Sequence, residues 1–323
     1  MSESWQPAAG REIMQLRARM LKHIRAFFDQ RGVLEVETPL LSSSSTTDPH
    51  LSSFSTRYLQ QNLYLNTSPE YCMKRLLAAH GDAIFQICKS FRDDELGPVH
   101  NPEFTLLEWY RPGFDMFELM NELGELVQML AANSGLDHSI QKISYADAYW
   151  QAAGINPHIT SADECRNCAL QHGIDQPVGL EDDVDEWLDW LLTQLVMPTF
   201  QADSFTLIYD YPQSQSALAK IYKDMHGHTV AARFELFYGE IELANGFDEL
   251  LDSNEQRQRF ERENSSRLAL GLSPSVIDEA LLKALQHGLP ACSGVALGLD
   301  RLLMMLARVD TIERVIAFPF SRI

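Results

Sequence analysis

Apolar positions along the chain follow two periods. Over residues 11–30, Ile13, Leu16, Met20, Ile24, Phe27 and Phe28 recur at steps of three and four, which predicts an amphipathic helix stopped by Gly32. Residues 33–38 alternate apolar and acidic before Pro39, so an edge strand is expected there, because proline cannot donate to a ladder. Residues 42–56 are rich in Ser and Thr without a period and predict a loop, long enough for a flap over a site. Leu63, Tyr64 and Leu65 predict a short strand. Thr67-Ser68-Pro69-Glu70 opens a helix to about Ala79, with Thr67 or Ser68 as its cap, Pro69 in its first turn, and Glu70 complementing its dipole.

The most informative stretch follows. Residues 85–91 and 104–110 predict a strand and a returning strand, with Gly97-Pro98 and Asn101-Pro102 punctuating the loop between them. Arg92 ends the first strand and His100 closes the loop. Phe104, Glu108 and Tyr110 fall at even spacing and therefore on one face of the sheet. That face gathers a cation, an imidazole, an aromatic ring, a carboxylate and a phenol, a suitable set for a nucleoside triphosphate beside an amine.

Residues 114–132 predict a helix. Residues 140–200 predict a helical insertion with helices at 145–153, 162–171 and 183–196, and residues 205–212 return to strand. Residues 233–249 predict two strands about a turn at Gly239, with Glu235, Glu242 and Glu249 at steps of seven. In a hairpin Glu235 and Glu242 would face each other, and facing carboxylates repel unless a cation lies between them. Hard oxygen ligands beside a nucleotide's phosphates suit Mg²⁺; otherwise these side chains simply face water. Helices are expected at 255–270 and 277–287. Ser, Gly and Ala over 292–298 allow close approach of a ligand to the backbone, and Arg301 places a planar cation at the start of a helix over 302–307. A last strand is expected at 315–318. Antiparallel pairs interspersed with helices predict an α+β fold, and the chain contains no G-x-x-x-x-G-K-S/T phosphate loop.

Composition narrows the picture further. The chain is 45% hydrophobic and 22% charged, without a run near the roughly 18 apolar residues of a membrane helix and without a signal pattern at its start, so a cytoplasmic protein is expected. A net charge of −19 argues against bulk nucleic-acid binding, which depends on Lys and Arg neutralising phosphates. Residues 161–190 hold nine acidic residues against one Arg, a pattern usual for a solvated surface. Five cysteines without a secretion signal are expected as thiols. Cys165 and Cys168, with His158 and His172 nearby, number enough for a zinc site, but buried Cys acting as small apolar groups is the plainer reading.

The helix to Pro39, residues 91–110 and residues 294–306 resemble, in this order, the three motifs of class II aminoacyl-tRNA synthetases. His100-Asn101-Pro102-Glu103-Phe104-Thr105, Asn245-Gly246-Phe247 with Glu249-Leu250, and Glu70 opening a helix are similar to the lysyl branch. The resemblance runs from residue 11 to 323. It implies one catalytic domain over residues 1–323, an antiparallel sheet flanked by helices, and an insertion at about 140–200. Motif 1 begins almost at once, so no anticodon-binding domain is expected. This short form resembles the bacterial paralogue family of elongation factor P–(R)-β-lysine ligases, which implies ATP, Mg²⁺, β-lysine, elongation factor P as protein acceptor, and a homodimer. Ala296 stands where the tRNA synthetase motif generally has Gly. One methyl at a pocket floor is worth about 1–3 kcal/mol of discrimination.

The roles implied by the resemblance are as follows. Arg92 and Arg301 are the catalytic cations. Arg92, Asp93, Asp94, His100, Asn101, Phe104, Glu242, Leu243, Gly298 and Arg301 bind ATP, with Phe104 stacked on the adenine. Glu235 and Glu242 bind Mg²⁺. Ser68, Pro69 and Glu70 meet the substrate amine nearest its carboxylate. Glu108, Tyr110, Asn245, Phe247, Glu249 and Ala296 take the rest of the substrate, the carboxylates holding its far ammonium. Two departures stand out: Asp94 is a methylene shorter than the family's Glu, and Pro98-Val99 replaces a stretch often basic, with Glu95 as a candidate compensation. Two other readings stay open. One is a free-standing lysyl-tRNA synthetase-like enzyme. The other is an inactive paralogue acting as a regulatory binding module.

Overall fold

The computed structural model describes residues 5–136, 138–177, 179–180 and 182–323. In chain order the elements begin α1 (Arg11–Asp29), β1 (Leu34–Glu35), β2 (Leu41–Ser42), β3 (Ser55–Tyr58), β4 (Gln61–Leu65), α2 (Glu70–His80), β5 (Ile84–Phe91) and β6 (Glu103–Pro112). There follow α3 (Met116–Ala132), β7 (Ile140–Ser144), α4 (Tyr145–Ala153), α5 (Ala162–Gln171), α6 (Val184–Leu191), β8 (Phe205–Pro212), β9 (Ile221–Lys223), β10 (Thr229–Tyr238) and β11 (Ile241–Asp248). The chain closes with α7 (Ser253–Ala269), α8 (Glu279–Gly288), β12 (Cys292–Gly298) and α9 (Leu299–Ala307). It divides into two compact units, Met1–Asp115 with Met129–Leu136 and Leu251–Ile323, and Met116–Gln128 with Asp137–Leu250.

The first unit is built on β5, β6 and β12, paired antiparallel, with β1 added parallel to β5. One face of this sheet is apolar. The α1 stripe buries Met20, Ile24, Phe27 and Phe28, and the Phe28 ring stacks on Phe85 with centroids 4.5 Å apart and meets Trp109 edge-on. Leu107, Val295 and Leu297 complete that side, all at most 2% exposed. Buried Asp300, in the first turn of α9, ties the layers together: it pairs with Arg17 of α1 and accepts from the Thr105 backbone N–H at 2.6 Å. A small sheet, β2–β4–β3, stands apart.

The expected loop over residues 42–56 is fastened rather than loose. Ser44 donates to Asp278 at 2.8 Å, Thr47 donates to Glu263, and Arg267 donates to the Asp48 carbonyl at 2.9 Å. Its far end meets the 92–100 loop where the Asp93 N–H donates to the Ser52 carbonyl at 2.8 Å.

In the second unit β11, β10 and β8 pair antiparallel, β7 lies parallel on β8, and β9 pairs with β10. The expected insertion falls here, and its helices appear as α4, α5 and α6. They pack Tyr145, Tyr149, Trp187, Leu188 and Leu191 against Tyr211, Ile208 and Phe237 of the sheet. Cys165 lies in this core, and the Cys168 thiol donates to the Ala153 carbonyl at 3.4 Å. Their thiols thus serve as small packing groups.

Several expectations are corrected. Only Leu34–Glu35 of the strand expected at 33–38 joins a ladder, because it pairs at a sheet edge. Residues 140–144 are a strand, so the insertion does not start as helix. Residues 315–318 are not a strand among the described residues; single 3-10 turns at Ile312–Arg314 and Phe320–Arg322 flank them. The cap of α2 is Pro69, which has no side-chain acceptor, while Ser68 Oγ accepts from the Glu70 N–H at 3.3 Å.

Candidate active site

The face of the β5–β6–β12 sheet turned away from the core carries the predicted groups. Opposed residues of an antiparallel pair project from the same face. Phe104 opposes Ser90, Leu106 opposes Cys88, Glu108 opposes Gln86 and Tyr110 opposes Ile84. On the other side Glu108 opposes Ala296, Tyr110 opposes Gly294 and Leu106 opposes Gly298. The even-spacing argument for Phe104, Glu108 and Tyr110 therefore holds, and Ala296 stands beside the Glu108 carboxylate. Both Glu108 and Tyr110 are 2% exposed, and the Tyr110 hydroxyl donates to Glu108 Oε1 at 2.7 Å.

Cations cluster at one end of this face. The Arg92 guanidinium lies 5.1 Å from the centre of the Phe104 ring and is held by Glu95, Nη1 to Oε1, at 3.4 Å. Arg301 occupies the first turn of α9, and one of its N–H groups lies 2.6 Å from His100 Nε2. Burial and the Arg301 charge both lower the His100 pKa. A neutral imidazole accepts that bond on Nε2 and keeps its proton on Nδ1. The helix N-terminus adds its own partial positive charge. Phosphate oxygens are the natural ligands of such a set.

At the start of α2, Glu70 does not stand alone. Lys74, one turn later and 2% exposed, donates to it at 2.6 Å. A buried lysine is tolerable only when paired in this way.

In the second unit the register differs from the expected hairpin. Glu235 opposes Asn245, and Glu242 opposes Phe237, because Leu243 is an extra residue on β11. This bulge places Glu242 on the face of Asn245, which a regular strand would forbid at a spacing of three. Glu235 pairs with Arg233, accepts from Tyr211 at 2.7 Å and accepts from Asn245 Nδ2 at 3.4 Å. Burial raises its pKa, the Arg233 charge lowers it, and the Glu242 charge raises it again. Two carboxylates thus share one sheet face, and their hard oxygens are of the kind a Mg²⁺-type ion takes, with those of Glu235 already engaged by Arg233, Tyr211 and Asn245. Glu249, 2% exposed, bridges to Ala219, and Phe247 packs against the aromatic core.

Residues 6–322 match the family of class II tRNA synthetases (D, K and N). The chain belongs to this class II synthetase family. It is also 46% identical over 330 residues to the elongation factor P–(R)-β-lysine ligase of Hamiltonella defensa subsp. Acyrthosiphon pisum, covering 100% of both chains. The proteins of that name from Sodalis glossinidius and Pectobacterium atrosepticum are likewise 46% identical, with 99% and 100% of each chain covered.

Within this class II synthetase, the departures in the 93–99 loop have local explanations. Asp94 adopts a left-handed backbone with φ of 65°, a conformation that Asp accepts more readily than most residues. Pro98 and Val99 act through their carbonyls, which accept from the Ile312 N–H at 2.7 Å and Arg301 Nε at 3.2 Å. A basic side chain is not needed for either contact. Asn101 is a clasp: its amide donates to the Glu103 carbonyl at 2.6 Å and accepts from the Phe320 N–H at 3.0 Å. Gln86, Arg17, Asp300, Arg233 and Tyr211 escaped the sequence reading. Arg17 and Asp300 lie inside the stretches that resemble motifs 1 and 3 and Arg233 is two residues from Glu235 on β10, but no local signal gave them a role; Gln86 and Tyr211 reach Glu108 and Glu235 only through the pairing of separate strands. Among the described residues no helix is long and apolar enough to cross a membrane.

Proposed function

We propose that this protein is an ATP-dependent ligase that activates (R)-β-lysine as an adenylate and transfers it to a lysine side chain of elongation factor P. The observation that carries the reading is identity of 46% over the full length of ligases bearing that name. The arrangement of the first unit supports it, with a cation cluster at one end of a sheet face and a buried carboxylate–phenol pair at the other.

The substrate carboxylate attacks the α-phosphorus of ATP, the bond to the β-phosphate breaks, and pyrophosphate leaves. The protein supplies no nucleophile. Arg92 holds the α-phosphate and the attacking carboxylate, where charge grows in the transition state. His100 and Arg301 hold the outer phosphates, Phe104 stacks on the adenine, and the backbone from Asp93 to Asn101, with Gly298, shapes the nucleotide site. Glu235 and Glu242, with Leu243 next to Glu242, would hold Mg²⁺, which when bound offsets phosphate charge. Ser68, Pro69 and Glu70 meet the near amine. Glu108 and Tyr110 receive the far ammonium, a charge that makes buried carboxylates tolerable; substrate roles for Asn245, Phe247 and Glu249 rest on the family resemblance alone. The acceptor amine then attacks the carbonyl carbon, and AMP leaves. The working form proposed is a cytoplasmic homodimer.

The test is the mass of elongation factor P after incubation with the protein, ATP, Mg²⁺ and each lysine isomer. The expected result is one added β-lysyl group, about 128 Da, a residue mass fixed by the amide chemistry of the transfer. No gain with any isomer, despite amino-acid-dependent pyrophosphate exchange, would assign a different acceptor. No exchange at all would leave a binding module.

A further inference from the structure

Helix α2 carries an ion pair that the reaction described above does not use. Glu70 and Lys74 stand four residues apart and therefore on one face of the helix, with the acid on the N-terminal side, the favourable order. Exposed pairs of this kind are common and contribute little. This one is not exposed. Lys74 lies with Met73 and Leu77 on the buried face of α2, its side chain 2% exposed, and its Nζ donates to Glu70 Oε1 at 2.6 Å. Lysine is almost never buried without a partner, and apolar side chains of similar volume would serve stability about as well. The pair is therefore better explained by what it does to Glu70, whose side chain keeps 16% of its surface exposed. Glu70 is held at both ends: its backbone N–H donates to Ser68 Oγ at 3.3 Å, and Lys74 holds its carboxylate. An ionised carboxylate accepts at about four places, so the Lys74 bond leaves it able to take a second ammonium.

We propose that Lys74 is a positioning residue for the near amine of the substrate: it fixes the Glu70 carboxylate in one orientation and leaves acceptor sites for that amine. This rests on the reading of Glu70 given above. A glutamate that nothing holds must order its side-chain torsions when the ligand arrives. Lys74 orders them beforehand, and its contribution to affinity arises there. An ammonium only donates, so Lys74 cannot bind the substrate amine itself and acts through Glu70. Its effect is confined to the near amine, because Arg92 takes the substrate carboxylate and Glu108 with Tyr110 takes the far ammonium.

The test is pyrophosphate exchange with β-lysine, with ε-aminocaproate as a competing ligand. That compound keeps the carboxylate and the far amine of β-lysine and lacks the near amine. The ratio of its inhibition constant to the β-lysine KM therefore reports the near-amine contact. Lys74→Met keeps most of the side chain's length and removes its charge. It should raise the β-lysine KM about tenfold, the scale of one hydrogen bond to a charged group. The ε-aminocaproate inhibition constant, the ATP KM and kcat should stay within about twofold, so the ratio falls about tenfold. Combining Lys74→Met with Glu70→Gln should lower the ratio no further than Glu70→Gln alone. A parallel weakening of both ligands would mark Lys74 as packing for α2 and overturn the proposal. An unchanged β-lysine KM in a Lys74→Met protein that melts normally would overturn it too. If Lys74→Met does not fold, Lys74→Gln decides by the same ratio. Glu70→Gln separates the two levels. If it lowers the ratio while the Lys74 variants do not, only the role of Lys74 falls; if it leaves the ratio unchanged, the near-amine reading falls with it. A parent protein without exchange on β-lysine would overturn the ligase reading itself.

Discussion

Arg92 waits beside Phe104, held by Glu95 at 3.4 Å, a loose pairing that a phosphate can displace. A lysine in its place keeps the charge and loses the planar fork. Arg92→Lys should therefore lower amino-acid-dependent pyrophosphate exchange by on the order of 10²-fold, with little change in melting temperature. A rate within a few fold of the parent would remove Arg92 from the transition state. Ala296 faces Glu108 directly in the ladder, so its methyl narrows the floor beside the carboxylate. Ala296→Gly should shift the ratio of kcat/KM values toward α-lysine by about tenfold, the scale of one methylene in a pocket. An unchanged ratio would mean that specificity lies elsewhere. Asn101 shows what a motif leaves out: its place there suggested ligand binding, and its amide also clasps the Glu103 and Phe320 backbones.

Elements add constraints that no single residue carries. Helix α7 fastens the 42–56 loop through Glu263, which accepts from Thr47. Burial pushes the Glu263 carboxyl up to about 7 from an ordinary 4.5; the Asp48 charge adds to this, while the Thr47 bond, Arg259 and Arg262 oppose it. Between those two values the folded protein keeps a proton that the unfolded chain has lost. The stabilisation is therefore complete below about 4.5 and is lost as pH rises through 7, by roughly 3 kcal/mol. Melting temperature should fall between pH 6 and 8.5, and Glu263→Gln should flatten that fall; the same slope in both proteins would refute this. Strand β11 gives a second case. Its bulge at Leu243, not the spacing of seven, puts Glu242 on the face of Asn245.

For the molecule as a whole, a net charge of −19 weighs on the choice of acceptor. RNA binding draws its affinity from phosphate neutralisation and weakens with salt. Transfer RNA should show no saturable binding at about 150 mM salt, where charges are screened within about 8 Å, measured by fluorescence anisotropy with labelled tRNA. Tight binding there would revive the tRNA synthetase-like alternative.

The amino-acid sequence by itself determined where most of the strands and helices run, because periods of two and 3.6 are local. It also determined that Phe104, Glu108 and Tyr110 share a face, since side chains alternate along any strand. Motif order was enough for the family. Only the tertiary structure decided what stands across from the site residues: Gln86 and Ala296 around Glu108, Tyr211 against Glu235, Arg301 against His100. Ladder register and helix docking join residues scores of positions apart, and no local period encodes such pairings. The same holds for the edge position that shortens β1 to Leu34–Glu35 and for the extra residue that turns Glu242. Both depend on a neighbouring strand, and the strand's own sequence does not carry that information.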